Sequence, residues 1–246
     1  MARAEFFNLR QDYTEQAAGY LDRRFGDASG RLYNEVHRCT VRALLCEFVN
    51  PVARGLEVAP GPGRLTDVVR GCVAAPLCVV DLADGMVAEL KRTVRVCWPD
   101  VAVVQGDAFA LPFGDGWFDV VATFRFIHLF AVQRQRALLC ELARVLRPGG
   151  HLLVEFNNRR YGGALPRLRE RGLAVELRET YTTIGALSGT LPEGRLLVVR
   201  GVGFPLSLGA LYRRCPRLAV AINLRLGRWR ASRGFAQQLL ALWVKT

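Results

Sequence analysis

Gly55-Leu56-Glu57-Val58-Ala59-Pro60-Gly61-Pro62-Gly63-Arg64-Leu65 is a short, mostly apolar run carrying one acid, and it leads into a glycine-spaced turn before a helix expected near Arg64. Such a turn brings backbone close to a ligand that a Cβ would push away, and aims free amides at it. A dinucleotide-binding fingerprint would read G-x-G-x-x-G, with an acid about 20 residues on at the end of the second strand. Here the spacing is Ala59-x-Gly61-x-Gly63, and Glu57 already stands two residues before the turn. Alanine at the first position asks for φ below zero there, and Pro60 and Pro62 stiffen the rest of the turn.

Outward from this turn, the pattern from Ala53 onward alternates short β-rich runs with helical stretches, the signature of a parallel sheet with helical crossovers. Strands are expected at Gly55–Val58, Leu77–Asp81, Val101–Gln105, Phe118–Thr123, His151–Phe156, Arg195–Val202 and Gln238–Lys245. The last, paired antiparallel, would complete a seven-stranded, mostly parallel α/β sheet. Val79-Val80 and Val120-Val121 are apolar on both parities, as strands covered by helices on both faces require. Intervening helices should begin near Arg64, Gly85 and Gln133, with a loop over Leu111–Trp117. Arg147-Pro148-Gly149-Gly150 breaks the chain before the fifth strand. Residues 1–52 read as an N-terminal helical cap, with helices over Tyr13–Arg24 and Leu32–Phe48. Residues 53–246 form the main domain, and 207–233 an amphipathic helical insertion or lid before the last strand. Leu165–Arg171 also reads as helical.

With 246 residues and 27.4 kDa, the chain can bury one sizeable core. No apolar stretch reaches the ~18 residues of a transmembrane span, and no secretory leader is evident, so a cytoplasmic protein, monomer or homodimer, is expected. Seven scattered cysteines without C-x-x-C spacing read as reduced, buried thiols, with no metal centre. The net charge of +12 lies wholly after residue 156: the first 156 residues hold 18 basic and 18 acidic side chains, the last 90 hold 16 and 4. That excess fits nucleic acid, an acidic membrane surface, an anionic substrate, or a solvated basic face with no partner.

Further signals come in order along the chain. Asp81 ends the second strand in Val79-Val80-Asp81-Leu82-Ala83-Asp84-Gly85-Met86; Gln105-Gly106-Asp107-Ala108 comes after the third; Phe118-Asp119-Val120-Val121 forms the fourth; Leu146-Arg147-Pro148-Gly149-Gly150-His151-Leu152 opens the fifth. Together with the Glu57–Gly63 turn, this series resembles the class I (Rossmann-like) S-adenosylmethionine-dependent methyltransferases over roughly Leu56–Phe156, in the small-molecule type. Ala59 replaces the first glycine of the family's acid-G-x-G-x-G motif. The resemblance implies S-adenosylmethionine as cofactor and S-adenosylhomocysteine as product. Asp81 would accept from the ribose hydroxyls, beside Leu82. Asp107 would accept from the adenine amine while the Ala108 amide meets a ring nitrogen, and Met86 would border the base or serve as helix core. Gly61 and Gly63 would open the cradle around Ala59. Glu57 would accept from turn amides or, through water, from the methionyl ammonium. Arg64 would serve the methionyl carboxylate or remain a solvated first-turn arginine. Tyr13-x-x-x-Ala17-x-x-Tyr20 resembles the family's N-terminal cap, its tyrosines closing over the methionyl end or simply packing. Thr123, at the end of the fourth strand, completes the cofactor set.

Methyl transfer from a sulfonium chiefly requires alignment of the acceptor and exclusion of water, with a base for a hydroxyl or carbon acid. His128, just after the fourth strand, is the candidate base or a packed histidine shaping the pocket. Arg125 would bind an anionic acceptor or form a salt bridge. Asn157 and Asn158 could orient a polar acceptor, and Arg213, Arg214 and Arg217 a phosphate or carboxylate. The expected function is transfer to an O or N atom of a small, anionic or partly apolar acceptor. The alternatives are a nucleic-acid-binding module or RNA methyltransferase, a non-catalytic cofactor-binding protein, and peripheral membrane contact through Leu208–Trp229.

Overall fold

The computed structural model describes residues 10–51, 53–160, 181–187, 189, 191, 193–204 and 208–246. The expected helix Leu165–Arg171 lies outside the described residues. Seven strands run in the order β3-β2-β1-β4-β5-β8-β7: β1 (Arg54–Val58), β2 (Ala74–Asp81), β3 (Val101–Gln105), β4 (Phe118–Thr123), β5 (Leu146–Asn158), β7 (Gly194–Val202) and β8 (Gln238–Lys245). β1 to β5 pair in parallel, and β8 is antiparallel to both β5 and β7. A two-residue strand, β6 (Tyr181–Thr182), adds to the end of β5 in parallel at Asn157 and Asn158. The seven expected strands are all present; β6 is additional, because two residues carry no readable period.

Helices α1 (Tyr20–Phe25), α2 (Ala28–Phe48), α3 (Thr66–Arg70), α4 (Asp84–Cys97), α5 (Val132–Val145), α6 (Ile184–Leu187), α7 (Leu208–Arg214) and α8 (Pro216–Arg228) accompany the sheet. Residues 10–16 are also helical. The expected continuous helix Tyr13–Arg24 is broken at 17–19, where Gly19 takes φ 67°. α2 starts earlier than expected because Asp27 caps it, accepting from the Gly30 amide at 2.6 Å. β5 begins at Leu146 rather than His151: Pro148, Gly149 and Gly150 form an irregularity within the strand, across which pairing with β4 shifts from Phe118↔Leu146 to Val120↔His151.

Strand parity sorts the core into two layers. Val79, Val120, Ala122, Leu153, Leu240 and Leu242 face one way, against Leu32, Val36, Val41, Leu44 and Leu45 of α2. Leu56, Val58, Val80, Val121, Leu152 and Val154 face the other way, against Leu138, Leu139 and Leu142 of α5. The helix read as an N-terminal cap is therefore part of the main core. The same parity puts two acids, Glu57 between Leu56 and Val58 and Glu155 between Val154 and Phe156, on the α2 face. The insertion does not close over the strand ends: α7 and α8 pack on α2, and α8 also on β7, with the Tyr212 hydroxyl donating to Glu35 at 2.8 Å. The cysteines depart from expectation as well. All are free, but Cys39, Cys46, Cys97, Cys140 and Cys215 are exposed, and only Cys72 is buried.

Candidate active site

A cleft of about 990 Å³, counted out to its open mouth, lies at the carboxyl ends of β1 to β4. This is where open α/β sheets bind ligands. Its walls come from the turn after β1 (Glu57, Ala59, Gly61, Arg64), the end of β2 (Asp81, Leu82), the segment after β3 (Asp107, Ala108), Met86 of α4, and Tyr13 and Tyr20. The segment after β4 adds Phe124, Arg125, Phe126, Leu129 and Phe130. Gly63, Thr123 and His128 are not part of the wall.

Each exclusion has a local cause. Gly63 (φ 89°) is a packing glycine, since a Cβ there would meet Leu90 at 2.9 Å and Trp98 at 3.2 Å. At Gly61 (φ 59°) a Cβ would meet only the Met86 sulfur, at 3.9 Å, so its missing side chain is cleft space. Thr123 is buried in the β1–β4 ladder opposite Val58. His128 sits in the turn Ile127–Leu129, 4 % exposed. Burial, reinforced by Arg125 and Arg24, pushes its pKa down to about 3, so its ring is neutral.

Ala59 takes φ 54°, not the negative angle expected of alanine. The backbone keeps the left-handed geometry that a glycine would adopt freely, and its amide donates to Val80 O at 2.7 Å. Left-handed geometry costs an L-residue roughly 1–2 kcal/mol, while a new glycine loosens the unfolded chain by about 0.4–1 kcal/mol. Ala59→Gly is therefore expected to raise stability by up to about 1.6 kcal/mol. A lower melting temperature for the glycine variant would contradict this.

Asp81 is 9 % exposed and each of its carboxylate oxygens takes one backbone amide, Gly61 at 3.0 Å and Ala83 at 3.0 Å. Burial raises its pKa, against the pull of those amides. It is thus Asp81, and not Glu57, that pins the turn. A carboxylate accepts about four hydrogen bonds, so capacity remains for hydroxyls in the cleft. Glu57 is 1 % exposed and accepts from the Thr66 hydroxyl at 2.7 Å. Burial lifts its pKa to about 7, with Thr66 and Arg64 opposing. Asp107 uses one oxygen for the Phe109 amide at 2.9 Å.

Arg64 is not a solvated side chain. It donates to Asn34 Oδ1 at 3.0 Å and to His37 Nδ1 at 3.0 Å, and stacks 4.8 Å over the Phe25 ring. Because guanidinium only donates, His37 Nδ1 must be the acceptor and its ring proton sits on Nε2, 3.6 Å from Glu155 Oε2. Burial, then Arg64 and Arg125, hold His37 well below its ordinary pKa. Glu155, 1 % exposed, also accepts from the Tyr33 hydroxyl at 2.8 Å and from the Arg125 amide at 3.0 Å. Arg125 itself is left-handed, φ 53°, and its amide bond to Glu155 fixes that turn at the cleft wall.

Tyr33, His37 and Glu155 are not wall residues but hold Arg64 and Arg125 from behind, and the sequence motifs do not single them out. An acid inside the apolar run Leu152-Leu153-Val154-Glu155-Phe156 is the available signal. Tyr33 and His37 lie one helical turn apart, on one face of α2. Arg10, a further wall residue, is held to Asp84 at 2.9 Å. Asn158 does not face an acceptor. Its amide donates to Gly234 O at 3.0 Å and Ala236 O at 2.7 Å, tying the approach to β8. Neither asparagine is a wall residue, and Arg213, Arg214 and Arg217 are exposed away from the cleft. Asp119 is structural, accepting from the Arg54 amide at 2.6 Å and pairing with Arg147. Among the described residues no His/Cys/Asp/Glu group could hold a metal, and no helix is long and apolar enough to cross a membrane.

Residues 56–154 match the family model described as a methyltransferase domain. The fold around that segment is that of the class I, Rossmann-like S-adenosylmethionine-dependent methyltransferases, to which the chain is similar over this stretch. A demethylmenaquinone methyltransferase of Beutenbergia cavernae is 45% identical over 122 residues, 49% of this chain and 46% of that protein. The ubiquinone/menaquinone biosynthesis C-methyltransferase UbiE of Roseobacter denitrificans is 37% identical over 128 residues, 50% of each chain. The chain thus spans about half the length of the curated relatives it matches. Among solved structures, magnesium protoporphyrin IX methyltransferase from Synechocystis, with bound S-adenosylhomocysteine, superposes with a TM-score of 0.70 over 98% of this chain and 99% of that one, at 14% identity.

Proposed function

We propose that this chain moves the methyl group of S-adenosylmethionine to a small acceptor with an apolar, ring-bearing body. The observation that carries the reading is the convergence of Glu57–Leu65, Asp81–Leu82 and Asp107–Ala108 on one cleft, beside an aromatic wall. Asp81 would hold the ribose hydroxyls, Asp107 and the Ala108 amide the adenine edge, and Met86 and Leu82 its faces. Arg64 would take the methionyl carboxylate and Glu57 the ammonium. When bound, the cofactor supplies an electrophilic methyl whose leaving group, a neutral thioether, needs no proton donor. The chain's task is then alignment and exclusion of water, which Phe124, Phe126, Leu129 and Phe130 would perform. Arg125 would face the acceptor's ionised oxygen, and His128 would shape the wall from behind. The family resemblance favours an O or N acceptor; the relative named as the C-methyltransferase UbiE turns the proposal to a ring carbon.

Titration with S-adenosylhomocysteine tests the cofactor half, and absence of binding would overturn the reading. Transfer of labelled methyl to simple phenols tests the rest, with acid-stable C-methyl products expected and O-methyl ethers counting against carbon. Binding should also depend on pH. Glu57, protonated below about 7, must lose its proton to hold an ammonium, so affinity should rise as pH increases through about 7, with proton release visible by calorimetry in buffers of different ionisation heat. Glu57→Gln should flatten that rise.

A further inference from the structure

Residues 194–246 contain ten basic side chains and no acid. The earlier 156 residues show the same preference for arginine over lysine, yet balance 18 bases with 18 acids, so base composition of the coding sequence does not explain the imbalance. In the structure part of the excess is gathered at one place. Arg225, Arg228 and Arg230 are exposed along the end of α8 and the turn after it, and among the described residues none of them makes an ion pair. Arg233 is crowded by like charge: burial first, then Arg200 and Arg230, lower its pKa. Burial likewise lowers that of Arg200, with Glu47 opposing and Arg228 adding to the effect.

Two large rings stand out among these charges, Trp229 at 64 % exposed and Phe235 at 65 %. Their backbone is firmly held. Ser232 Oγ donates to Trp229 O at 3.0 Å, and Asn158, at the carboxyl end of β5, ties Gly234 and Ala236. The carboxyl end of β5 is the end of the sheet at which the cleft opens, because β1 to β5 are parallel. A fixed cationic surface, with Glu47 as the acid that acts on it among the described residues and with exposed rings on the same end as an apolar cleft, is complementary to a surface that is anionic outside and apolar within.

We propose that Arg225, Arg228, Trp229, Arg230, Arg233 and Phe235 dock this chain on an anionic lipid bilayer, with the cleft end of the sheet turned toward the membrane. The arginines meet lipid phosphates while Trp229 and Phe235 enter the headgroup region, where aromatic rings partition favourably. Docking itself needs no methyl transfer; its use, direct entry of an apolar acceptor from the lipid, rests on the function proposed above. A nucleic acid would also meet the charge, but would not account for the aromatic side chains sharing the end of the sheet with an apolar cleft.

The test is co-sedimentation of the full chain with phosphatidylcholine vesicles, with and without about 30% phosphatidylglycerol, and in parallel a fluorescent single-stranded oligoribonucleotide in solution. At an ionic strength near 0.15 M, where the screening length is about 8 Å, binding to anionic vesicles and not to pure phosphatidylcholine is expected. Each arginine near the surface is worth roughly fivefold in partitioning, so Arg228→Glu with Arg230→Glu should weaken binding at least about 25-fold. Trp229→Ser with Phe235→Ser should weaken it with the charge kept. Unchanged S-adenosylhomocysteine affinity certifies that the variants are folded, and separates this proposal from the catalytic one. Failure to bind anionic vesicles, binding indifferent to both double variants, or binding to the oligoribonucleotide alone would each overturn it.

Discussion

Glu155→Ala is expected to lower the free energy of unfolding, read from urea titration, by about 3–5 kcal/mol, the usual cost of stranding one side of a buried charge network. The carboxylate is 1 % exposed and serves three groups at once: the Tyr33 hydroxyl, the Arg125 amide and, at longer range, His37 Nε2. Without it, the Arg125 guanidinium keeps its charge beside a tyrosine and a neutral histidine. The left-handed turn at Arg125 also loses the acceptor that fixes it. Tyr33→Phe removes one donor and leaves the charge balance intact, so its cost should be nearer ~1 kcal/mol. A loss below about 1 kcal/mol for Glu155→Ala would show that the cluster does not behave as a buried charge network. Because Arg125 is a wall residue and Glu155 positions it, Glu155→Gln should impair the use of an acceptor more than the binding of S-adenosylhomocysteine.

The second large effect should come from Asp81. Hydrogen bonds to a charged partner are worth about 1.5–3 kcal/mol each, and two ribose hydroxyls on one carboxylate would make S-adenosylhomocysteine affinity fall by about 100-fold or more in Asp81→Ala. Alanine also frees the Gly61 and Ala83 amides, so part of that loss would reflect a loosened turn. Asp81→Asn separates the two contributions in part: its one carbonyl oxygen keeps one of the two turn amides, its NH2 faces the other donor to donor, and the charge is gone. Calorimetry should show roughly tenfold or greater weakening for asparagine, with a melting temperature below the parent's because one turn amide loses its acceptor. Parental affinity in Asp81→Asn would remove the ribose from this residue.

How much of the molecule is readable in its sequence depends on whether a feature is local. The strands are legible because covered parallel strands are written as runs such as Val120-Val121 between breakers, and the acid-turn-glycine series places most of the cleft wall. Ala59 misleads because side-chain preference argues for negative φ, whereas the turn between β1 and α3, its Ala59 amide held by Val80 O, takes 54°. The Tyr33–His37–Glu155–Arg64–Arg125 cluster is not legible, since its members are far apart in sequence and meet only when α2 lies across β5. Parity turns Glu155 toward some helix; nothing local says which. The insertion misleads for a related reason. An amphipathic pattern says that one face is covered, and here α2 and β7 cover it rather than the cleft.

The position of β8 bears on how the molecule is assembled. It lies between β5 and β7, although it comes after both in the chain, so β7 has no ladder partner until residues 238–245 have been synthesised. The β1 to β5 ladder needs nothing beyond Asn158, and chains commonly begin to fold from the N-terminal side during synthesis. A nascent chain can therefore complete its cofactor cleft while the arginine-bearing segment is still unanchored, and that segment reaches its place at the sheet's end only when β8 slides in as the keystone.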